Sequence, residues 1–327
     1  MKKLIKRKKI SENFILNNYF QKLNHNQKET FNFKNDGALI KTFKNEKIIV
    51  TNDTIVENID FFSEDPPESI AQKIVCYNLS DISSMGATPY CYSLSICLPT
   101  KITTQWLKRF SKKIYFLQKK YNFFLLGGDI SKSNEIVISA SYYGKLKKGK
   151  VLERITSKIN DDIWLTGNLG DSSIGLAIKK NKLSVDSNMK KYFINKYLFP
   201  EPCLIGNKIN KIASSAIDIS DGFLGDLEKI IFDRNLGAFI EMNKIPLSKY
   251  LKDLIKNKKI DLNYILTSGD DYQILFTSNL KNRSLIKNIS QKNNIKISRI
   301  GIILKNEGIY IGGKKYNNLN KSYKHFF

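Results

Sequence analysis

Asp218 and Asp221 lie three positions apart with Ser220 between them, where the apolar pair Ala216 and Ile217 gives way to a helical pattern running to Phe232. Two carboxylates and a hydroxyl at a strand-to-helix corner suit a metal-phosphate site, because hard divalent cations take oxygen ligands and share them with substrate phosphates. A helix cap fits the same residues, since Ser220 or Asp221 would satisfy free backbone N–H groups there. Further acidic corners recur along the chain. Asp36 precedes Gly37 at a turn, a pairing that turn chemistry alone explains. Asp53 interrupts the β-branched run from Lys47 to Val56, flanked by Thr51, Asn52 and Thr54. An acid inside a strand calls for compensation or for a solvent-facing edge. Asp81 falls in the last turns of a helical stripe, where the helix dipole disfavours a carboxylate and a bound cation would relieve it. Asp129 follows Gly127 and Gly128 at the expected end of a buried strand, glycines that let a ligand approach the backbone. Asp270 and Asp271 are adjacent and repel unless a cation or donors lie close.

The chemistry open to these acids is narrowed by what the chain lacks. Histidine occurs only at positions 25 and 325, both remote in sequence from the acidic corners, which argues against a serine–histidine hydrolase or a histidine zinc site. Cys76, Cys91, Cys97 and Cys203 have no CxxC spacing and read as reduced, buried thiols. Metal-assisted phosphoryl transfer remains, a reaction of positioning and charge neutralisation. A phosphate acceptor is already ionised near neutral pH, so no residue is assigned as a general base.

The elements that must position these residues follow from periodicity. A short helix capped by Ser11 runs to about Phe20, and residues 31–40 read as a polar turn entering a strand. Lys47 to Val56 is a strand. Asp65 is expected to cap a helix, with Pro66 in its first turn and Glu68 completing a capping box. That helix buries Ile70, Ile74, Leu79 and Ile82 and stops near Gly86. Cys91 to Leu98 alternates as a strand, 103–120 is an amphipathic helix, and 123–129 and 135–143 are strands. The basic segment 144–150 is the expected boundary, giving domains 1–148 and 149–327 of an α/β (α+β) chain. Beyond it, 162–175 reads strand, glycine turn, helix, and Pro200 and Pro202 break the next helix. Gly308 to Lys314 is a near-miss to a phosphate loop, with no hydroxyl after the lysine and no helix to follow.

A length of 327 residues with 42% hydrophobic content fits a large globular core. The net charge of +24 is spread along the whole chain, not gathered in a stripe, so specific nucleic-acid binding is not expected; the surface favours anionic small molecules. No apolar run is long enough to cross a membrane, and the basic opening is followed by polar residues, so a cytoplasmic protein is expected.

Taken in order, Asp36-Gly37-Ala38-Leu39, Thr51-Asn52-Asp53-Thr54, Asn78 to Ala87, Gly127-Gly128-Asp129, Thr166 to Asp171, Ile217 to Gly222, Ser268 to Tyr272 and the terminal Tyr323 to Phe326 carry a resemblance over nearly the whole length. The chain resembles the thiamine-monophosphate kinases, within the superfamily that includes aminoimidazole ribonucleotide synthase and selenophosphate synthetase. The resemblance implies ATP-dependent phosphorylation of thiamine monophosphate to thiamine diphosphate, by direct in-line transfer with several Mg2+ ions. It implies metal-site roles for Asp36, Thr51, Asn52, Asp53, Asp81, Asp129, Asp218 and Asp221. Gly128, Asp129, Arg154 and Ser220 would contact ATP, and Asp60, Asp270 and Asn320 would face the substrate. The implied fold has two domains, an N-terminal mixed sheet that pairs in a homodimer and binds ATP and metal, and a C-terminal α/β domain that completes the nucleotide and substrate site.

This chain departs from the family pattern mostly on the substrate side. Lys34-Asn35-Asp36 stands where the family turn reads Gly-Asp-Asp, Asn52 replaces a threonine, Asp60 a histidine, Asp270 a glutamate and Asn320 an aromatic. Two rivals follow. One is another ATP-dependent enzyme of the superfamily, although the first cysteine is Cys76 and the chain ends in Phe327 without a cysteine-bearing tail. The other is a basic protein that binds polyanions without catalysis.

Overall fold

The computed structural model describes residues 11–33, 38–40, 46–147 and 149–316, with Glu12, Asn13 and Asp233 described by backbone alone. Contacts divide the chain into two units that exchange segments: 11–33, 38–40, Asn52–Val75 and Tyr90–Tyr142 in one, 46–51, Cys76–Pro89 and 143–316 in the other. The expected α/β architecture is present in both.

The chain opens on α1 (Glu12–Ile15), where the Ser11 hydroxyl accepts from the Phe14 N–H as expected, continued by a wider turn through Phe20. Residues 38–40 form no strand. A four-stranded sheet has the order β1-β4-β2-β3, from β1 (Lys47–Val56), β2 (Thr88–Leu98), β3 (Phe124–Lys132) and β4 (Val137–Leu146), with α2 (Pro67–Ser84) and α3 (Thr104–Tyr121) between strands in sequence. Thr103 caps α3 by accepting from the Trp106 N–H, and left-handed Asn122 ends it. The core of this unit stacks Tyr92 on Tyr142 at 4.7 Å between centroids. Buried Gln118 on α3 donates to the Tyr92 hydroxyl and to the Leu23 carbonyl, which ties the N-terminal segment down.

Two local expectations are corrected here. The Asp65 carboxylate accepts from the Phe62 N–H at 3.1 Å, and Glu68, expected to complete a capping box, forks onto Arg109 with two 2.7 Å bonds. A long-range bidentate partner outcompetes the local box. The strand 123–129 does not end at its glycines either. β3 runs parallel to β2 on to Lys132, absorbing an irregularity at Tyr92/Ser93, so Gly127, Gly128 and Asp129 lie inside it. Gly128 is demanded by that pairing, because a Cβ there would stand 1.8 Å from the Leu94 carbonyl oxygen. Gly127 would meet nothing within 4 Å. Gly128→Ala is therefore expected to cost about 3 kcal/mol and to lower Tm by roughly 5–10 °C, while Gly127→Ala leaves Tm nearly unchanged. Thermal denaturation of the pair checks this, and equal melting of both variants contradicts it.

In the second unit α2 ends in a Schellman motif: the Gly86 N–H reaches the Ser83 carbonyl and the Ala87 N–H the Ile82 carbonyl, with Gly86 at φ +85°. The chain then runs β5 (Asp162–Thr166), α4 (Asp171–Lys179), α5 (Ser187–Leu198), α6 (Gly206–Ile209), β6 (Ala213–Asp218), α7 (Phe223–Ile231), β7 (Gly237–Ile240), α8 (Lys249–Lys256), α9 (Leu262–Thr267), β8 (Ile274–Ser278), α10 (Arg283–Asn293), β9 (Ile297–Leu304), β10 (Gly308–Ile311) and β11 (Lys314–Lys315). Their seven strands make a sheet of order β11-β10-β7-β9-β5-β8-β6, parallel at β7–β10 and antiparallel at its other pairings. Along β5, Ile163 and Leu165 enter one apolar cluster with α4 and α7, while Trp164 enters another with Phe276 and Ile286. Both faces of the sheet are covered, which is why β5 reads as an unbroken apolar run and not as an alternation. Gly308 to Lys314 is the hairpin of β10 and β11, as expected. Among the described residues no helix is long and apolar enough to cross a membrane.

Candidate active site

β6 delivers Asp218, buried at 4% exposure, to the end of an edge strand. The chain then turns through Ile219, Ser220 and Asp221 to Gly222, whose φ of +118° only glycine adopts readily, and enters α7. Neither Ser220 nor Asp221 caps that helix. The bonding runs the other way: Asp226, in the first turn of α7, accepts from the N–H groups of Ser220 at 3.0 Å and Asp221 at 3.1 Å. Lys229 then donates to Asp226 and to Asp221, each at 2.7 Å. Burial pushes the Asp226 carboxyl above its ordinary range and Lys229 pulls it back, so the corner is held by one buried acid and one bridging ammonium. Sequence reasoning missed Asp226. Its signal was present, an acid in the first turn followed by a lysine three residues on.

Opposite this corner, within the same unit, the Thr51 hydroxyl donates to the Asp81 carboxylate at 2.5 Å. Asp81 is also hydrogen-bonded to Asp218, and the Arg154 guanidinium stands near enough to act on its charge. Burial raises the Asp81 pKa above the usual carboxylate range; Thr51, Arg154 and Asp218 oppose the rise. Two carboxyl groups in hydrogen-bond contact share a proton or need a cation between them. The structure thus brings Thr51, Asp81, Arg154 and Asp218 together, and Ser220 and Asp221 follow Asp218 directly in the same corner.

A strap from Thr267 to Gln273 lies across the corner. The Asp270 N–H donates to the Ser220 carbonyl at 2.9 Å, the Tyr272 N–H to the Ile219 carbonyl at 2.8 Å, and the Ile219 N–H to the Gln273 carbonyl at 2.8 Å. Asp270 sits in the left-handed region at φ +67°, and its carboxylate accepts from the Tyr272 hydroxyl at 2.9 Å. Its neighbour Asp271 points elsewhere. Both Asp271 oxygens accept from the Gly170 N–H at 2.9 Å, at the entry to α4, so the adjacent acids are separated by donors and need no cation.

Desolvation holds the Asp271 carboxyl well above its ordinary pKa, with Asp171 and Asp270 adding to the rise and the Gly170 N–H opposing it. A carboxyl whose folded pKa is raised contributes stability that is full below its unfolded value, about 3.9, and is lost as pH rises toward the folded value. Asp271→Asn removes that loss. The Tm difference between variant and wild type is expected to move in the variant's favour as pH rises above about 4 and to be constant below it. A difference that does not change with pH contradicts the assignment.

In the other unit, Asp53 lies half-buried on β1 between two cross-strand hydroxyl contacts, Asn52 to Ser141 at 2.7 Å and Thr54 to Ser139 at 2.9 Å. Exposed Asp129 accepts from the Ser131 hydroxyl at 2.9 Å, beside exposed Gly128. The Asp60 carboxylate closes the turn after β1 by accepting from the Val56 N–H at 2.8 Å, and buried Lys73 donates to the Asp60 carbonyl. Asp36 and Asn320 lie outside the described residues. Among the described residues no three His, Cys, Asp or Glu side chains gather as a ready-made metal cage. What the second unit offers is a carboxyl pair with a hydroxyl beside it. That donor set fits a hard divalent cation whose other positions are filled by water and substrate phosphate, the usual arrangement for magnesium.

The N-terminal domain of AIR synthase related proteins matches residues 34–146. Over 327 aligned residues the chain is 38% identical to the thiamine-monophosphate kinase of Buchnera aphidicola subsp. Acyrthosiphon pisum (strain APS), covering 97% of this chain and 99% of that one. The thiamine-monophosphate kinase of Escherichia coli (strain K12) is 33% identical over 253 residues, 77% of each chain. Among solved structures, AaThiL complexed with AMPPCP and TMP matches with a TM-score of 0.78 at 28% identity, over 89% of this chain and 91% of that one.

Proposed function

This chain belongs to the thiamine-monophosphate kinase family, and from that premise we propose how its own residues carry the ATP-dependent phosphorylation of thiamine monophosphate to thiamine diphosphate. The terminal phosphoryl group of ATP passes in line to the phosphate of thiamine monophosphate: one P–O bond to ADP breaks as another forms. The acceptor oxygen is already ionised, so the protein supplies no base. Its task is to bring two anions together and hold them aligned.

The observation that carries this reading is the contact of Asp81 with Asp218, beside Thr51 and Arg154. Acids pressed together in so basic a chain make sense where a cation replaces the shared proton. Asp81, Asp218, Asp221 and Thr51, and in the other unit Asn52, Asp53 and Asp129, are the described residues that would hold magnesium; bound there, the metal neutralises charge on the reacting phosphates. Arg154 and Ser220 would meet the phosphate chain of ATP, with Gly128 and Asp129 as further nucleotide contacts. Lys229 holds Asp221 directly and ties it to Asp226, and does not itself need to touch substrate. Asp270, and Asp60 in the other unit, would face the thiamine moiety, where a carboxylate suits the positive thiazolium ring. The division into 1–148 and 149–327, pairing as a homodimer and a cytoplasmic location belong to the same proposal.

Purified protein incubated with ATP, magnesium and thiamine monophosphate should form thiamine diphosphate and ADP in equal amounts. A thiamine-only control should form neither. ATP turnover without thiamine diphosphate, or phosphorylation of free thiamine, would refute the assignment.

A further inference from the structure

The Asp270 carboxylate is held from behind by two aromatic side chains that no part of the transfer uses. Tyr272 is 5% exposed, and its hydroxyl donates to Asp270 Oδ1 at 2.9 Å. Its ring stacks on Tyr77 of α2, within the same unit, at 4.5 Å between centroids and 20° between planes. The Tyr272 proton is committed to Asp270, and Tyr77 braces the ring that carries it. Burial, with the Asp270 charge adding to it, pushes both phenols well above their ordinary pKa, so both stay protonated. Asp270 needs such a clamp. Its backbone is left-handed, a region costly for a residue with a Cβ, and a lone carboxylate on a two-bond side chain would otherwise sample several rotamers.

We propose that Tyr272, oriented by Tyr77, is the positioning residue that fixes the Asp270 carboxylate for recognition of the cationic thiamine moiety, an inference that rests on the function proposed above. Tyr272 acts through Asp270: it is buried, one ring face is covered by Tyr77, and its hydroxyl is committed to the carboxylate.

Tyr272→Phe keeps the ring and the stack and removes only the donor. It is expected to raise KM for thiamine monophosphate about tenfold, the scale of a hydrogen bond to a charged group. KM for ATP and Tm should stay close to wild type. Tyr77→Leu, which removes the stacked ring, should give a smaller shift of the same sign. In a double-mutant cycle, Tyr272→Phe should add nothing once Asp270→Asn is present. An unchanged KM for thiamine monophosphate in Tyr272→Phe, an equal rise in KM for ATP, or full additivity with Asp270→Asn would each overturn the proposal while leaving the kinase assignment standing. A wild-type protein that does not turn over thiamine monophosphate overturns both.

Discussion

Asp218→Asn is expected to lower kcat by about three orders of magnitude while the protein still folds, the scale seen when one preorganised electrostatic contact is removed from a transferring group. The reason lies in the pair. Asp218 is buried and hydrogen-bonded to Asp81, which also accepts from Thr51 and feels Arg154. Asparagine is nearly isosteric and can still hydrogen-bond to Asp81, so β6 and its cluster stay in place. What disappears is one of the two negative charges that would draw a divalent cation to the phosphates. Asp81→Asn should cost a similar factor, and the double variant should be little worse than either single one, because residues that act as a unit lose their effect together. Magnesium titration separates charge from packing: the optimum should move to higher magnesium in each single variant, with far-ultraviolet circular dichroism and Tm close to wild type. If Asp218→Asn retains kcat within a few-fold at low magnesium, the pair has no part in the chemistry.

Much of the fold was legible because local rules and tertiary structure agree. β1 spans the β-branched run from Lys47 to Val56, α3 starts at Thr103, and the corner from β6 to α7 stands where apolar run meets helical pattern. The elements that misled are those in which a distant partner overrode a local preference. Glu68 has the spacing of a capping box yet goes to Arg109, 41 positions away. Gly127 and Gly128 look like a strand end because glycine weakens strands, but Gly128 is required within one, by a neighbouring carbonyl that only β2–β3 register reveals. The candidate site shows the same division. Asp81 stands out in the sequence by its clash with the helix dipole, which is local. Its bond to Thr51 spans 30 positions and that to Asp218 spans more, and no periodicity encodes either. Asp270 and Asp271 read in the sequence as a repelling pair, but what separates them is Gly170, about a hundred positions earlier, taking Asp271 away.

Gly269→Ala should cost about 10²- to 10³-fold in kcat/KM for thiamine monophosphate, the order expected when reacting or recognising groups move by about an ångström. Gly269 packs directly on the corner: a Cβ would stand 1.8 Å from the Ser220 carbonyl oxygen, 2.8 Å from the Ser220 carbonyl carbon and 3.1 Å from that of Asp221. None of these atoms belongs to a flexible side-chain end, so the backbone must move. The same Ser220 oxygen accepts the Asp270 N–H, and the next bond along joins Tyr272 to Ile219. Relieving the clash therefore stretches the ladder that sets Asp270 relative to Ser220 and Asp221. On the roles proposed above, one methyl group disturbs both the nucleotide side and the thiamine side, so KM for thiamine monophosphate should rise and kcat should fall together. That pattern differs from Tyr272→Phe, which moves KM for one substrate alone, and from Asp218→Asn, which moves kcat and the magnesium optimum. Some loss of Tm accompanies it, and activity measured well below the transition keeps the two effects apart. A Gly269→Ala protein with wild-type kinetics would mean that the strap slides without consequence, and that Asp270 is not positioned by the corner on which it rests.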